Sequence, residues 1–91
     1  MREPKKIKLL AKAYTIEILK ALSREPLRFV DLKGVCPNDR TRSLRIRELK
    51  KAGFITITIM EVKNRSFIYY QVSGKGREVL ELVSRIEDCE D

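Results

Sequence analysis

The sequence predicts an α+β fold class, in which a core of three helices is followed by a two-stranded β hairpin and a C-terminal helix. Three observations predict it: apolar residues recur at helical spacing near both ends, a basic helical segment precedes a glycine, and two alternating segments flank a polar turn. The chain has 91 residues, enough for one compact domain and too few for two. We therefore expect a single domain over residues 1–91.

The first helix is predicted over residues 5–23, where apolar residues recur at helical spacing. A second apolar stripe, formed by Leu9, Ala13 and Ile16, lies on another side of this helix. A helix that is apolar on two sides usually has two surfaces to cover it. We favour a second subunit as the second cover, and the C-terminal helix of the same chain is the alternative. Residues 1–10 are either a basic N-terminal arm or an extension of this helix.

A short second helix is predicted over residues 28–33, after Pro26 ends the first one. Phe29 and Leu32 are expected to point inward from it. Gly34 follows directly, and glycine is the residue that most often ends a helix.

The third helix is predicted over residues 40–52, after a tight turn at 35–39. Asn38 or Asp39 can cap it, because both side chains accept hydrogen bonds from the free amides of a first helical turn. Gly53 is expected to stop it.

An antiparallel hairpin is predicted from two segments, residues 54–62 and 67–73, which are joined by the four polar residues 63–66. The first segment alternates Ile with Thr, as a half-buried strand does. Ser73 can then cap a last helix over about 75–88, whose apolar residues again recur at helical spacing.

Two helices joined by a short turn and followed by a two-stranded ribbon describe a winged helix-turn-helix. Residues 26–55 carry this pattern, and the segments 26–29 and 47–55 are the most characteristic parts of it. Residues 70–77 (YQVSGKGR) lead from the ribbon into the final helix. In these segments the chain resembles the winged-helix regulators of the HxlR, ArsR and MarR type, over about residues 11–83. The resemblance implies a DNA-binding fold, commonly dimeric, with the third helix in the major groove and the hairpin as the wing.

The rotation of the third helix is open at this point. When positions are counted back from Gly53, the resemblance places four residues of this helix inward: Arg42, Arg45, Ile46 and Leu49. Such regulators usually have an apolar residue where Arg42 stands, and Leu44 falls on the outward side. Either the helix is rotated relative to this alignment, or Arg42 extends its charged end past the edge of the core.

The charge of the chain favours a polyanionic partner. Twenty Lys and Arg oppose thirteen Asp and Glu, which gives a net charge of +7. Nucleic acid and an anionic membrane surface both attract such a protein, and a generic basic surface is the alternative. Lys and Arg crowd residues 2–12 and 40–51, whereas residues 87–91 form an acidic tail.

The residues expected to meet DNA lie on the third helix and at the hairpin tip. On the helix they are Arg40, Thr41, Ser43, Leu44 and Arg47. Arginine forks match guanine edges and phosphates, and a leucine can contact a thymine methyl group. At the tip they are Lys63, Asn64 and Arg65, suited to the phosphate backbone or the minor groove. The alternatives are a solvated basic helix and an ordinary polar turn. The lysines at 5, 6, 8 and 12 either add phosphate contacts or are merely solvated.

Several classes of function find no support. The chain has no His, only two Cys, and no glycine-rich phosphate loop, so we expect no enzyme, no metal site and no cofactor. Cys36 is interpreted as a small, partly buried side chain rather than a redox sensor, and a bridge through Cys89 is not expected in a reducing compartment. We expect no membrane association and a cytoplasmic location, since neither a membrane span nor a signal peptide is recognisable.

The sequence thus predicts a transcriptional regulator that binds double-stranded DNA sequence-specifically, as a homodimer joined through its first and last helices. The alternatives are a winged-helix subunit that binds protein in a transcription or processing complex, and RNA binding through the same basic face.

Overall fold

A computed structural model describes residues 3–89, and Arg2 and the end of the expected acidic tail, Glu90 and Asp91, lie outside this range. Within it the chain forms four α helices, one short 3₁₀ helix and one two-stranded sheet. In chain order these are α1 (Lys5–Ala11), α2 (Thr15–Arg24), the 3₁₀ helix (Val30–Gly34), α3 (Asp39–Ala52), β1 (Ile55–Val62), β2 (Arg65–Val72) and α4 (Gly74–Glu87). The α+β winged helix-turn-helix predicted from the sequence is confirmed.

The prediction of one continuous helix over residues 5–23 is wrong. The chain leaves the helical conformation at Lys12, which is extended, and Tyr14 adopts a left-handed conformation with φ 72° before α2 begins. Residues 5–10 therefore belong to a separate short helix rather than to an extension. The two apolar stripes do not continue through the break, since Leu9 is buried while Ile7 and Ala13 are exposed.

Contacts with α3 hold this break in place. The guanidinium Nε of Arg45 donates to the carbonyl of Ala13 at 2.9 Å, and Glu48 accepts hydrogen bonds from both Arg45 and Lys12. Burial raises the pKa of the Glu48 carboxyl, but the hydrogen bonds from Lys12 and Arg45 outweigh it and hold that pKa below its usual value. The ionised carboxylate thus joins the α1–α2 linker to α3.

The 3₁₀ helix begins two residues later than predicted and ends one residue later, because Gly34 is its last residue and Val35 is its C-cap. Leu32 is fully buried and Phe29, just before the helix, is half-buried. Asp31 accepts from the backbone N–H and the side chain of Arg28, and these contacts hold the pKa of its carboxyl below the usual value. Before it, Leu27 exchanges two backbone hydrogen bonds with Tyr70 of β2, which fixes this segment to the edge of the sheet.

The hairpin turn has two residues instead of the four predicted. Lys63 and Asn64 both have positive φ, 51° and 66°, which is the geometry that matches the right-handed twist of paired strands. Consequently β2 begins at Arg65. The expected half-burial holds only for the first half of β1, where Ile55 is buried and Thr58 is half-buried, because every residue from 59 to 66 is exposed.

The junction between α3, β1 and α4 is closely packed. Ser73 caps α4 as predicted: its hydroxyl accepts from the N–H of Gly76 at 3.0 Å and donates to the carbonyl of Gly53 at 2.6 Å. A Cβ at Gly76 would lie 2.2 Å from the carbonyl oxygen of Phe54 and 2.4 Å from a methyl group of Val72. α4 therefore crosses the root of the sheet at a distance that only glycine permits.

The hydrophobic core lies between α2, α3, the 3₁₀ helix and the root of the sheet. Its buried apolar residues are Leu9, Ile18, Leu19, Leu22, Leu32, Cys36, Ile46, Leu49, Phe54, Ile55 and Val72. Of the aromatic side chains, Phe54 is buried and Tyr14 is exposed, while the others are half-buried: Phe29, Phe67, Tyr69 and Tyr70. Among the described residues, no helix has the length and apolar character needed to cross a membrane.

We expect Gly76→Ala to destabilise the domain by at least about 2 kcal/mol, because the added methyl group forces α4 away from the carbonyl of Phe54. Gly74→Ala is the matched control, because a Cβ at that position meets no atom within 4 Å. Urea unfolding followed by circular dichroism measures both. Equal stability of the two variants would contradict the close approach.

Candidate nucleic-acid interface

The third helix, α3, divides sharply into a buried and an exposed side. Arg42, Ile46 and Leu49 face the core, and the first of these is only 3% exposed. Four of the residues predicted to meet DNA lie together on the opposite side, and these are Arg40, Ser43, Leu44 and Arg47. Leu44 is 43% exposed although it is apolar. The fifth, Thr41, is half-buried at the edge of this face.

The start of α3 is fixed by a side-chain cap. The Asn38 side chain accepts from the backbone N–H of Thr41 at 2.9 Å, so Asn38 is the capping residue and the helix begins at Asp39, one residue earlier than predicted. Asp39 adds negative charge to the first turn, which the helix dipole favours. The cap therefore defines the backbone position of the first turn of α3, which carries Arg40.

Arg42 fills the space where an apolar side chain was expected. Its Nη1 donates to the carbonyl oxygens of Cys36 at 2.7 Å and Pro37 at 3.3 Å, and its Nη2 pairs with the Asp39 carboxylate. The guanidinium carbon lies 4.3 Å from the centre of the Phe29 ring. A single cation thus satisfies the backbone of the turn and packs on the aromatic residue beneath it.

These contacts decide the rotation of α3. The helix is not rotated relative to the alignment, because Arg42, Ile46 and Leu49 all face inward as the resemblance requires. The idea that Arg42 reaches past the core edge is also wrong, since its charged end stops at the carbonyls of the turn and stays buried. Cys36 beside it is fully buried, more than the partial burial expected from the sequence.

Fewer cations face solvent than the sequence indicated. Of the six between residues 40 and 51, Arg42 is buried and Arg45 is bound to Glu48 and the Ala13 carbonyl. The four that remain exposed are Arg40, Arg47, Lys50 and Lys51. The basic segment therefore has two roles, and only part of its charge is available to a ligand.

A groove runs between α3 and the hairpin. Ser43, Arg47 and Lys50 line it on the helix side, and Ile57 and Tyr70 line it on the sheet side. Lys50 is not among the residues predicted to meet DNA, although its spacing of three residues from Arg47 places both on one face of a helix. The groove gives the exposed face a concave margin next to the wing.

The predicted tip residues lie at the far end of the hairpin. Lys63, Asn64 and Arg65 are all exposed, and Arg65 belongs to β2 rather than to the turn. In the described part of the chain they share no hydrogen bond or ion pair with α3. The residues predicted to meet DNA thus form two separate exposed basic surfaces, one on the helix and one on the tip.

A helix-turn-helix family matches nearly the whole chain. The model of the family described as HxlR-like helix-turn-helix covers residues 9–91. The chain belongs to this HxlR-like family. The family is one of DNA-binding transcriptional regulators and not of enzymes. No curated protein matches the sequence.

Solved structures share the HxlR-like fold of this chain. The reduced form of the transcriptional regulator YodB from B. subtilis is 20% identical with a TM-score of 0.81, over 96% of this chain and 89% of that one. A putative transcriptional regulator, ytfH from Salmonella typhimurium, is 21% identical with a TM-score of 0.74, over 92% and 76% of the two chains. A possible HxlR family transcriptional factor from Thermoplasma volcanium is 23% identical with a TM-score of 0.69, over 94% of this chain and 84% of that one. At these identities the likeness supports the fold.

We expect Arg42→Met to lower the free energy of unfolding by about 1–3 kcal/mol, because it leaves the carbonyls of Cys36 and Pro37 without their donor. Arg47→Met removes the same charge from an exposed position and is expected to change stability by less than about 0.5 kcal/mol. Urea unfolding of both variants checks this difference. If Arg42→Met is as stable as the parent, the guanidinium does not hold the turn.

Proposed function

We propose that this HxlR-like chain binds double-stranded DNA sequence-specifically as a transcriptional regulator, with α3 in the major groove and the hairpin tip on the backbone or in the minor groove. One observation carries the proposal. An exposed face with Arg40, Ser43, Leu44 and Arg47 projects from a helix whose opposite face is buried and whose start is capped. A recognition helix presents the residues near its start to base edges in this way.

Each residue of this face has a chemistry that suits the major groove. Arg40 and Arg47 each offer a planar fork of donors, which fits the N7 and O6 acceptors of guanine or a pair of phosphate oxygens. Ser43 can donate or accept at a base edge. Leu44 gains by meeting a thymine methyl group, because both leave water. Thr41, at the margin, contacts the adjoining phosphate backbone.

The hairpin tip supplies the second contact. Lys63 and Arg65 neutralise phosphates, and Asn64, which the turn needs for its left-handed conformation, brings an amide within reach of the same strand. Lys50 lies in the groove between the two surfaces and adds charge along the path of the backbone. Binding through several phosphates makes the affinity fall steeply with salt.

We further propose a homodimer in which α1 and α4 form the seam. Three large apolar side chains of these helices are left in solvent: Ile7 is 70% exposed, Leu82 is 55% exposed and Ile86 is 71% exposed. On α4, Leu82 and Ile86 are four residues apart and so lie on one face. Burial of such a stripe against a second copy removes apolar surface from water, and a dimer presents two recognition helices to successive major grooves.

Selection from random duplexes tests the DNA proposal. We expect a defined site to emerge, and Arg40→Ala and Arg47→Ala to weaken binding to it by about 1–3 kcal/mol each, measured by fluorescence anisotropy. Lys20→Ala is the matched control, because it removes one exposed cation from α2 and leaves α3 unchanged.

Unchanged affinity of both arginine variants for the selected DNA site would contradict the assignment of α3 as the recognition helix. Failure to retard any duplex at low salt would favour a protein-binding subunit instead, and tighter binding of RNA duplexes in competition would favour an RNA ligand.

The dimer is tested by sedimentation equilibrium of Ile86→Ser. We expect the parent to sediment at twice the mass of one chain and the variant to dissociate at concentrations where the parent does not, because the seam loses an apolar contact. Ile59→Ser is the control, since this isoleucine is equally exposed but lies on the hairpin. A parent that remains monomeric at all concentrations rules the seam out.

A further inference from the structure

Exposed lysines line the side of α1 that faces the C-terminal half of α3. Only Leu9 on this helix is buried, while the apolar Ile7 points into solvent. Between α1 and the C-terminal half of α3 lies a concavity of about 480 Å³. Five lysines line it, and these are Lys5, Lys6, Lys8, Lys12 and Lys51.

The charge of this concavity is not balanced by its surroundings. Glu48 is the acidic residue on its wall, and Arg45 already shares that carboxylate with Lys12. Lys8 pairs with Glu3 at 2.8 Å. Within residues 3–89, Lys5, Lys6 and Lys51 have no carboxylate within salt-bridge distance. These three lysines therefore give the concavity a net positive charge, which attracts an anion.

The floor of the concavity is apolar. It is formed by Leu9, which is 7% exposed, and by the half-buried Ala52. The ammonium of Lys6 lies 5.9 Å from the centre of the Phe54 ring, so the stem of this lysine also covers apolar surface. An apolar floor beneath a cationic rim, in a volume typical of small-ligand pockets, suits a molecule with an apolar body and one negative group.

We propose that the concavity between α1 and α3 binds a small organic anion with an apolar, ring-sized body, such as an aromatic carboxylate or sulfonate. The ring lies on Leu9 and Ala52, and the anionic group is held by Lys6 and Lys51. A phosphate of a DNA strand is the less suitable occupant, because it meets the lysine tips but leaves the apolar floor uncovered.

The site adjoins the helix that carries the DNA-facing residues, and this consequence rests on the proposed function. Lys51 belongs to α3, on the same helix as Arg40 and Arg47. A bound anion cancels positive charge on this helix, so it weakens the attraction of α3 for phosphates. Because linkage is reciprocal, DNA weakens the binding of the anion by the same factor.

Titration of the full chain with 2-naphthoate, followed by NMR, tests the site without DNA. We expect saturable shifts of the methyl signals of Leu9 and Ala52, and binding of the neutral 2-naphthamide that is weaker by about tenfold or more. The double variant Lys6→Gln/Lys51→Gln is expected to lose that preference for the anion. Lys20→Gln/Lys33→Gln removes two exposed cations elsewhere and is expected to bind as the parent does.

Three results would overturn the site: equal binding of naphthoate and naphthamide, equal binding by both double variants, or shifts that map away from Leu9 and Ala52. Shifts of these two methyl groups with a DNA duplex but not with naphthoate would make the lysines part of the DNA interface instead. In a second arm, saturating naphthoate is expected to weaken DNA binding several-fold in the parent and not in Lys6→Gln/Lys51→Gln. An absence of DNA binding leaves the first arm intact, so failure of the site and failure of the proposed function are distinguishable.

Discussion

The buried guanidinium of Arg42 is the interaction on which the rest of this domain depends. The backbone carbonyl of the buried Cys36, in the turn before α3, needs a hydrogen-bond donor and finds it in this one side chain, which also donates to the carbonyl of Pro37. The planar group also packs on Phe29 and pairs with Asp39. An apolar side chain at this position fills the space but leaves the carbonyls unpaired. The arginine therefore joins the 3₁₀ helix, the turn and α3 into one unit.

Charged side chains hold α3 at two places along its length. Arg42 fixes its start, and Arg45 with Glu48 fixes its second half to the linker between α1 and α2. These attachments set the orientation of the exposed face relative to the core. The charged residues of α3 thus have two roles. Arg42, Arg45 and Glu48 orient the helix, and the exposed cations are available to a ligand. The concavity beside α1 arises from the same arrangement, since it is bounded by the helix that these ion pairs hold in place.

The hairpin combines a fixed root with an exposed end. The root is held by the close approach of Gly76 to Phe54 and by the cap at Ser73, whereas residues 59–66 extend into solvent. Apolar side chains remain exposed on α4, and contiguous apolar surface on a small domain usually marks an interaction site. The domain therefore has a rigid centre, with the surfaces suited to partners placed around it.

The sequence by itself determined the features that depend on neighbouring residues. The caps at Asn38 and Ser73 and the stop at Gly53 were predictable because a helix end is satisfied within a few positions of the chain. The helix break at residues 12–14 and the burial of Arg42 were not predictable from neighbouring residues. Both depend on atoms that the fold brings together. The Ala13 carbonyl meets Arg45, which is 32 positions away, and the Arg42 guanidinium meets the carbonyls of the turn before α3. Only the tertiary structure decided them, because the energy of a buried charge depends on partners that helical periodicity does not reveal.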